Sequence, residues 1–442
     1  MKKIITLLSI LFVLNTNSFS QKIGEEIKQN SKAKTTHTTN EIINESIDGA
    51  VEGIKNLFKK KKDKDNASNN KQVDSNHNNQ YQTANNQQPT SNIQYDSEIT
   101  KTDAQGNTDY SAYKNFDFIP AENILFYDDF KDNSKARWGF YDENNINIIH
   151  LDGKKWLEVN DGNFFPLGLK ILPKEFTLEF DAYIQSNYNG TLDIRFLDKS
   201  QAEALSDPYL DNSSLIHLSP KTQMPKTGLG GYEMKKNNDI ISPDNEFKFY
   251  SWQPELGNYY ARISLKRTDN KVSLWVNKEK VLENTDVFIA NMDYLLSFHL
   301  QTYFVPENKI YITNVRLATG NTHPKNEIQT KKKFVTQNIY FDVNSDVIKP
   351  NSFAVLKEIA NTIKDIEGQI FIIGHTDSDG ADEANLILSQ KRAASVKRAL
   401  VNEFGIDSTK LITDGKGESQ PLNQNKTLTE KAQNRRVEFI LK

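Results

Sequence analysis

The chain lacks cysteine entirely, and it also lacks long apolar runs and an excess of either charge. Without cysteine, disulfides and the lipid-bearing cysteine of a bacterial lipoprotein are both excluded. No stretch of about 18 consecutive apolar residues occurs, so no transmembrane helix is expected. With a net charge of −3, the composition favours neither a nucleic-acid partner nor an acidic solvating tail. Only 37% of the residues are hydrophobic, which indicates that part of the chain stays outside any core.

The N-terminus has the pattern of a secretory signal peptide, predicted over residues 1–20. Lys2 and Lys3 precede an apolar run at 4–14 that is too short to span a bilayer, and small polar residues follow at 15–20. A buried N-terminal strand or helix is the alternative. The signal predicts an exported protein that is soluble or peripheral to a membrane.

The two segments that follow lack the composition of a packed domain. Residues 21–62 carry apolar residues at helical spacing and end in a lysine cluster. The apolar stripe consists of Ile43, Ile47, Val51, Ile54 and Phe58. This amphipathic segment either docks on a partner or an anionic surface, or forms only a partial, solvated helix. Residues 63–115 are rich in Asn, Gln, Ser and Thr, and they are predicted to form a disordered linker because they bury too little apolar surface to fold.

The rest of the chain predicts two folded domains of different class. Over residues 116–320, short alternating runs such as 176–184 are separated by Gly, Pro, Asn and Asp, which is typical of an all-β sandwich or barrel. Residues 321–333 are polar and basic and are predicted to be a linker. Over residues 334–442, strands alternate with helices, which indicates an α/β sandwich with a mixed sheet. The predicted strands lie at 338–343, 369–374, 411–414 and 436–441, and the predicted helices at 352–366 and 383–404.

Charged residues near a strand end of the last domain form a candidate binding site. The buried strand opens into the loop 374–380 (GHTDSDG), which carries Asp377, and Arg392 follows on the next helix. Such a pair on one rim can hold a zwitterionic ligand, because Asp accepts from an ammonium and Arg pairs with a carboxylate. From these residues alone, a structural salt bridge or a loop-capping Asp is preferred to a ligand site.

Five motifs in sequence order resemble the OmpA-like peptidoglycan-binding family. They are FDVNS at 341–345, GHTDSDG at 374–380, LSQKRA at 388–393, GKGESQP at 415–421 and NRRVE at 434–438. The resemblance covers the segment 334–442. It implies a domain that binds peptidoglycan without cleaving it.

The resemblance also implies a role for individual residues. Asp377 would accept the side-chain ammonium of diaminopimelate in the stem peptide, and Arg392 would pair with a diaminopimelate carboxylate. His375 is expected to pack rather than bind. Further contacts would come from Phe341, Asp342, Asn344 and Thr376, and support from Asn434 and Arg435. For the two supporting residues, a purely structural role is the alternative.

The region 116–320 resembles concanavalin A-like and laminin G-like jelly rolls, some of which bind or hydrolyse glycans. The resemblance rests on residues 128–130, Trp138 and the strand pattern. Hydrolysis needs two carboxylates beside the scissile bond, and Glu179 and Asp181 lie on one strand. The third carboxylate of the laminarinase-like pattern is replaced by Tyr183. Glu179 and Asp181 are therefore interpreted as the polar face of a strand, and no enzyme is predicted.

The sequence does not decide whether this middle region binds sugars or calcium. The four tryptophans Trp138, Trp156, Trp252 and Trp275 could stack on sugars, although most are expected in the core. Asp128 and Asp129 either help to bind calcium or cap a turn, and the turn is preferred. No cofactor is predicted.

These features predict a non-catalytic cell-envelope protein that binds the diaminopimelate stem peptide of peptidoglycan. It would tether the outer membrane, or the exported β-sandwich, to the cell wall. The predicted location is the periplasmic side of the outer membrane, with peptidoglycan and the outer membrane or one of its proteins as partners. The alternatives are a carbohydrate-binding or adhesion protein moored to the wall, and an enzyme that acts on glycans.

Overall fold

The computed structural model describes residues 101–442 apart from short gaps. The gaps lie at 104–106, 141, 143–145, 185–189, 201–211, 221–226, 243–244, 255–256, 258, 302–308 and 321–323. The predicted signal peptide, the amphipathic segment and most of the predicted disordered linker lie outside the described residues. All described residues belong to one compact unit, Pro89–Lys442.

The described part of the middle region contains sixteen strands. In chain order they are β1 (Asn123–Asp128), β2 (Trp138–Phe140), β3 (Ile146–Leu151), β4 (Lys154–Val159), β5 (Gly162–Pro166), β6 (Glu175–Ile184), β7 (Thr191–Asp198), β8 (Ser213–Ser219), β9 (Gly228–Lys236), β10 (Asp239–Ile240), β11 (Glu246–Phe249), β12 (Tyr260–Thr268), β13 (Lys271–Val276), β14 (Glu279–Asp286), β15 (Tyr294–Gln301) and β16 (Ile310–Thr319). The all-β character predicted for this region is confirmed.

These strands form two eight-stranded antiparallel sheets. The first has the order β14-β13-β12-β6-β16-β4-β3, with β1 paired to β16. The second has the order β10-β9-β8-β7-β15-β5-β2, with β11 paired to β9. The two antiparallel sheets agree with a sandwich, and a jelly-roll topology remains a prediction.

The core of the sandwich is built from strand residues that alternate between inward-facing apolar and outward-facing polar side chains. On β6, Leu178 and Phe180 face inward and lie opposite Leu265 and Ile263 of β12 in the antiparallel register. All four side chains are buried. Since alternate strand residues point to opposite faces, Glu179 lies on the other face of the same sheet. Glu179 is nevertheless only 1% exposed, because the C-terminal domain covers this face.

Helix α1 (Pro324–Lys331) connects the sandwich to the C-terminal domain, which packs three further helices on a mixed four-stranded sheet. The elements of this domain are β17 (Lys333–Thr336), α2 (Phe353–Lys364), β18 (Ile370–His375), α3 (Asp382–Phe404), β19 (Leu411–Gly417), α4 (Leu428–Asn434) and β20 (Val437–Leu441). The sheet order is β17-β20-β18-β19, and β18 and β19 are parallel while the other pairs are antiparallel. The predicted α/β class with a mixed sheet is confirmed for this domain.

Local sequence explains the two long helices. In α2, Val355, Ile359 and Ile363 recur every four residues and are buried as one face. Helix α3 ends at Gly405, whose φ of 68° is the left-handed conformation that glycine adopts readily at helix ends. Gly374 of β18 allows α3 to approach, because a Cβ there would lie 2.3 Å from the Ser389 carbonyl oxygen.

Three boundaries differ from the sequence predictions. The first strand of the C-terminal domain is β17, not residues 338–343, because Phe334 of β17 pairs with β20 whereas Asn338 is buried in side-chain hydrogen bonds. The predicted linker 321–333 contains helix α1, and Ile328 on it is buried in the core. The end of the predicted disordered linker is also packed, because Tyr110 lies 5.5 Å from the ring of Phe353.

Candidate functional site

A cleft of about 180 Å³ lies where the C-terminal domain meets the sandwich. The residues that line it come from both sides of this seam. The sandwich contributes Ile124, Tyr127, Asp181, Arg262, Asn314 and Arg316; the C-terminal domain contributes, among others, Tyr340, Phe341, Lys349, Asn351, Gly374, His375, Arg392 and Arg435. Two of the predicted contacts, Phe341 and Arg392, therefore line one cleft together with residues that no motif had indicated.

Arg392 projects from α3 onto the loop that follows β17. Its Nε donates to the Ser345 carbonyl at 2.9 Å and its Nη2 to the Asp342 carbonyl at 3.3 Å. The guanidinium lies 4.8 Å from the ring centre of Phe341, a cation–π distance. Among the described residues, no carboxylate forms an ion pair with it. Burial, and then the nearby charge of Arg435, lower the pKa of Arg392 to about 10.

Asp377 lies two residues beyond the end of β18 and is largely buried. Its Oδ1 accepts from the Asp379 backbone at 3.1 Å, which closes the loop, and its Oδ2 accepts from Arg435 Nη1 at 2.6 Å. The ion-pair partner of Asp377 is therefore Arg435 and not Arg392. Asp377 still acts on Arg392 electrostatically, because its negative charge favours the charged guanidinium.

Arg435 joins the two domains at this point. Its guanidinium lies 5.1 Å from the ring centre of Tyr127 on β1 of the sandwich. Burial would lower the pKa of Arg435, but Tyr127 and Asp377 outweigh it and raise the pKa above its usual value. Arg435 thus remains charged between a sandwich ring and the Asp377 carboxylate.

The other predicted residues have mixed surroundings. Asp342 is half-exposed and forms an ion pair of 3.0 Å with Lys349. Asn344 has a positive φ of 54°, which shapes the turn beside Arg392. Thr376 is buried, and its hydroxyl has no hydrogen-bond partner among the described residues. Asn434 is fully buried and its amide nitrogen donates to Asn423 and Asn425, which ties the end of α4 to the loop that precedes this helix.

His375 is buried, as expected for a packing residue, but its ring is not simply packed. Its Nε2 lies 3.6 Å from Glu438, and neither ring nitrogen has a hydrogen-bond partner within the described ranges. His375 also lines the cleft. It is therefore a buried polar group at the site rather than an inert core residue.

Glu179 and Asp181 lie on the polar face of β6, as interpreted from the sequence, but this face is covered by charged and polar partners. Glu179 accepts from Arg262 at 3.0 Å, from Arg316 at 3.3 Å and from the Tyr340 hydroxyl at 3.0 Å. Arg262 also donates to Asp181 at 2.9 Å. Burial would raise the pKa of Asp181, but Arg262 and Lys154 outweigh it and lower the pKa to about 2. These side chains form a charge network across the seam, in which Glu179 and Arg316 are buried and Asp181 and Arg262 are partly buried.

The residues considered for sugar or calcium binding have structural partners. Trp138, Trp156, Trp252 and Trp275 are all buried. Asp128 caps a turn by accepting from the Phe130 backbone, and it also accepts from the Trp138 indole and from Arg137. No group of three or more metal-binding side chains occurs within the described ranges. None of the helices in the described part of the chain is long and apolar enough to cross a bilayer.

Residues 340–435 match the model of the OmpA family. The C-terminal segment is an OmpA family domain. It is 41% identical over 101 residues to outer membrane protein A of Bordetella avium, covering 23% of this chain and 52% of the relative. It is 39% identical over 105 residues to outer membrane porin F of Pseudomonas aeruginosa, covering 24% of this chain and 30% of the relative. The chain thus spans about half or less of the length of these relatives.

Among solved structures, the chain is similar to the peptidoglycan-associated lipoprotein of Burkholderia pseudomallei. The two are 32% identical, and the likeness covers 24% of this chain and 88% of that chain with a TM-score of 0.22.

Proposed function

We propose that the OmpA family domain binds peptidoglycan without cleaving it and thereby tethers the sandwich to the cell wall. The ligand is the stem peptide at its diamino acid, which carries an ammonium and carboxylates on one residue. The protein acts at the periplasmic side of the outer membrane, and a membrane protein or the membrane itself is its second partner. The resemblance of the five motifs and the OmpA family match support this assignment.

The observation that carries the proposal is the position of Arg392. Its guanidinium is held by two backbone carbonyls and by the Phe341 ring, yet it has no ion-pair partner among the described residues. The lowered pKa indicates that the surroundings disfavour its charge. A ligand carboxylate would relieve this cost, since a guanidinium binds a carboxylate through two parallel hydrogen bonds.

Asp377 provides the opposite charge for the ligand ammonium. An ionised carboxylate has about four acceptor sites, and the described contacts of Asp377 to Asp379 and Arg435 occupy two. Arg435 fixes the orientation of the carboxylate. Phe341, Asp342, Asn344 and Thr376 would line the remaining groove, and Asn434 would brace the loop that precedes α4.

Binding at such a site is reversible, because solvent screens charges on a partly open rim. Many protein copies that face one polymer would raise the effective strength by avidity. No covalent step is needed, and the proposed role is therefore structural rather than enzymatic.

Co-sedimentation of the full-length protein with purified peptidoglycan tests the proposal. Arg392→Ala should weaken binding roughly 10- to 150-fold, because a hydrogen-bonded charge contributes about 1.5–3 kcal/mol. Asp377→Asn should weaken it as well. Peptidoglycan in which lysine replaces diaminopimelate should bind poorly, since lysine lacks the side-chain carboxylate.

Arg398→Ala is the matched control. Arg398 lies six residues further along α3, and its guanidinium is 3.5 Å from Asp346 and outside the cleft. Binding should be unchanged in this variant. Equal binding by wild type and Arg392→Ala would remove the basis of the proposal.

A further inference from the structure

The second wall of the cleft belongs to the sandwich and lies outside the OmpA family match. It contributes Tyr127, Arg262 and Asn314 to a lining that also includes Phe341 and Arg392. We propose that this wall is part of the ligand site, and that Arg262 and Asn351 hold a backbone peptide group next to the diamino acid. The inference rests on the proposed function and deepens it, because it assigns a specificity role to the sandwich.

Arg262 is fixed but incompletely hydrogen-bonded. Its Nη1 donates to Asp181 at 2.9 Å and its Nη2 to Glu179 at 3.0 Å, so two carboxylates hold the guanidinium in place. Its Nε is buried and has no partner among the described residues. Buried donors are nearly always paired in folded proteins, so a buried donor on a cleft wall indicates a place for a ligand acceptor.

Asn351 offers the complementary group across the seam. It precedes α2 and lines the same cleft, and its Oδ1 is a buried acceptor that lacks a partner in the described part of the chain. A peptide group has one N–H donor and one C=O acceptor. Arg262 Nε and Asn351 Oδ1 supply one donor and one acceptor, which is the complement that a peptide group requires.

The size of the cleft fits one residue rather than a long chain. At about 180 Å³ it is smaller than the 300–1,000 Å³ typical of ligand pockets. A diamino acid and its adjoining peptide group would enter, and the rest of the stem peptide would leave through the mouth. Because Arg262 is already held by carboxylates, little ordering is required when it binds.

Titration calorimetry on the full-length protein with two probes tests this inference. The probes are free diaminopimelate and the tripeptide alanyl-γ-glutamyl-diaminopimelate. Asn351→Ala and Arg262→Lys should each weaken tripeptide binding roughly two- to tenfold, as expected for one lost hydrogen bond. Binding of free diaminopimelate should not change, since that molecule has no peptide group. Asn402→Ala, an exposed asparagine on α3 outside this cleft, is the matched control and should leave both affinities unchanged.

The outcomes separate this inference from the proposed function. If Arg392→Ala abolishes binding of both probes while Asn351→Ala and Arg262→Lys change neither, the inference is wrong and the proposed function stands. Tighter tripeptide binding by the wall variants would also overturn it, because the sandwich would then obstruct the ligand. If Arg392→Ala changes nothing, both are wrong. Arg262→Lys alters the charge network of the seam, so the melting temperature of this variant is measured first. If Arg262→Lys does not fold, the result for Asn351→Ala alone decides the inference.

Discussion

Replacement of Glu179 by glutamine tests how firmly the two domains are joined. Glu179 is 1% exposed and accepts hydrogen bonds from Arg262, Arg316 and Tyr340. Glutamine has nearly the same size, but it has no charge and only one acceptor oxygen. The Glu179→Gln variant would leave Arg316, which is also buried, without its carboxylate partner.

The expected loss of unfolding free energy is about 3–5 kcal/mol, the usual cost of leaving one partner of a buried ion pair uncompensated. Tyr340→Phe provides the graded comparison. It removes one hydrogen bond to a charged group and leaves both arginines paired, so its cost should be about 1.5–3 kcal/mol.

Urea denaturation of the full-length protein measures both variants. Tryptophan fluorescence reports mainly on the sandwich, because three of the four buried tryptophans pack within it and only Trp275 packs with the C-terminal core. Far-ultraviolet circular dichroism reports mainly on the helices of the C-terminal domain. If the seam couples the domains, both probes give one coincident transition in the wild type. They should separate in Glu179→Gln.

Two results would refute this reasoning. A Glu179→Gln variant within about 1 kcal/mol of wild type would mean that the network contributes little to the seam. A Glu179→Gln variant more stable than the wild type would indicate that the Glu179 carboxylate destabilises the fold, as functional residues at active sites often do. The second result would favour the glycan-enzyme alternative.

Two further substitutions probe the packing and the titration of the seam. Gly374→Ala would place a Cβ 2.3 Å from the Ser389 carbonyl and displace α3, so we expect a loss of about 1–3 kcal/mol in thermal unfolding together with weaker co-sedimentation; an unchanged variant would contradict this packing. Burial raises the pKa of Glu122 from its ordinary 4.5 to about 7, so the folded state binds the extra proton and stability falls as pH rises from 4.5 through 7. Glu122→Gln should therefore gain about 2 kcal/mol at pH 8 and nothing at pH 4, since one pKa unit is about 1.4 kcal/mol and solvent screening reduces the full shift. Parallel pH profiles of wild type and Glu122→Gln in urea denaturation would contradict the assignment.

Short-range patterns predicted the elements that bury one face. The alternation at 176–184 corresponds to β6, and the helical spacing at 352–366 corresponds to α2. The helix predicted at 383–404 corresponds to α3, which Gly405 ends. These features depend on neighbours a few residues apart, and such neighbours are visible in one sequence.

The seam could not be predicted in the same way. Arg316 meets Asn338 and Glu179 meets Tyr340, so the partners belong to different domains. Alternation shows that Glu179 lies on the face opposite the core, but it does not show what covers that face. The misplaced strand at 338–343 has the same cause, since Asn338 and Tyr340 have strand-like neighbours but bond to the sandwich.

The contacts of the candidate site were predicted only in part, for the same reason. Family motifs indicated Asp377 and Arg392, which lie within the matched segment. The ion pair that forms is Asp377 with Arg435, and Tyr127 of the sandwich holds Arg435 in place. The NRRVE motif indicated that Arg435 lies near the site, but it did not indicate that Arg435 contacts Asp377 and Tyr127.

The seam combines an apolar contact and a charge network that have different physical effects. Phe118 and Trp275 of the middle region pack at a ring distance of 5.1 Å within the same apolar cluster as the core of the C-terminal domain, and such burial stabilises without fixing one orientation. Compared with well-packed apolar groups, the ion pairs of Glu179 add little net stability, because desolvation offsets their attraction; a displaced arrangement, like the loss of one partner, would instead leave charges buried and unpaired at a cost of about 3–5 kcal/mol. The network therefore penalises any other docking of the sandwich. It follows that Tyr127 and Arg262 keep a constant position relative to Arg392, which is the condition under which a second domain can contribute to binding rather than merely cover the site.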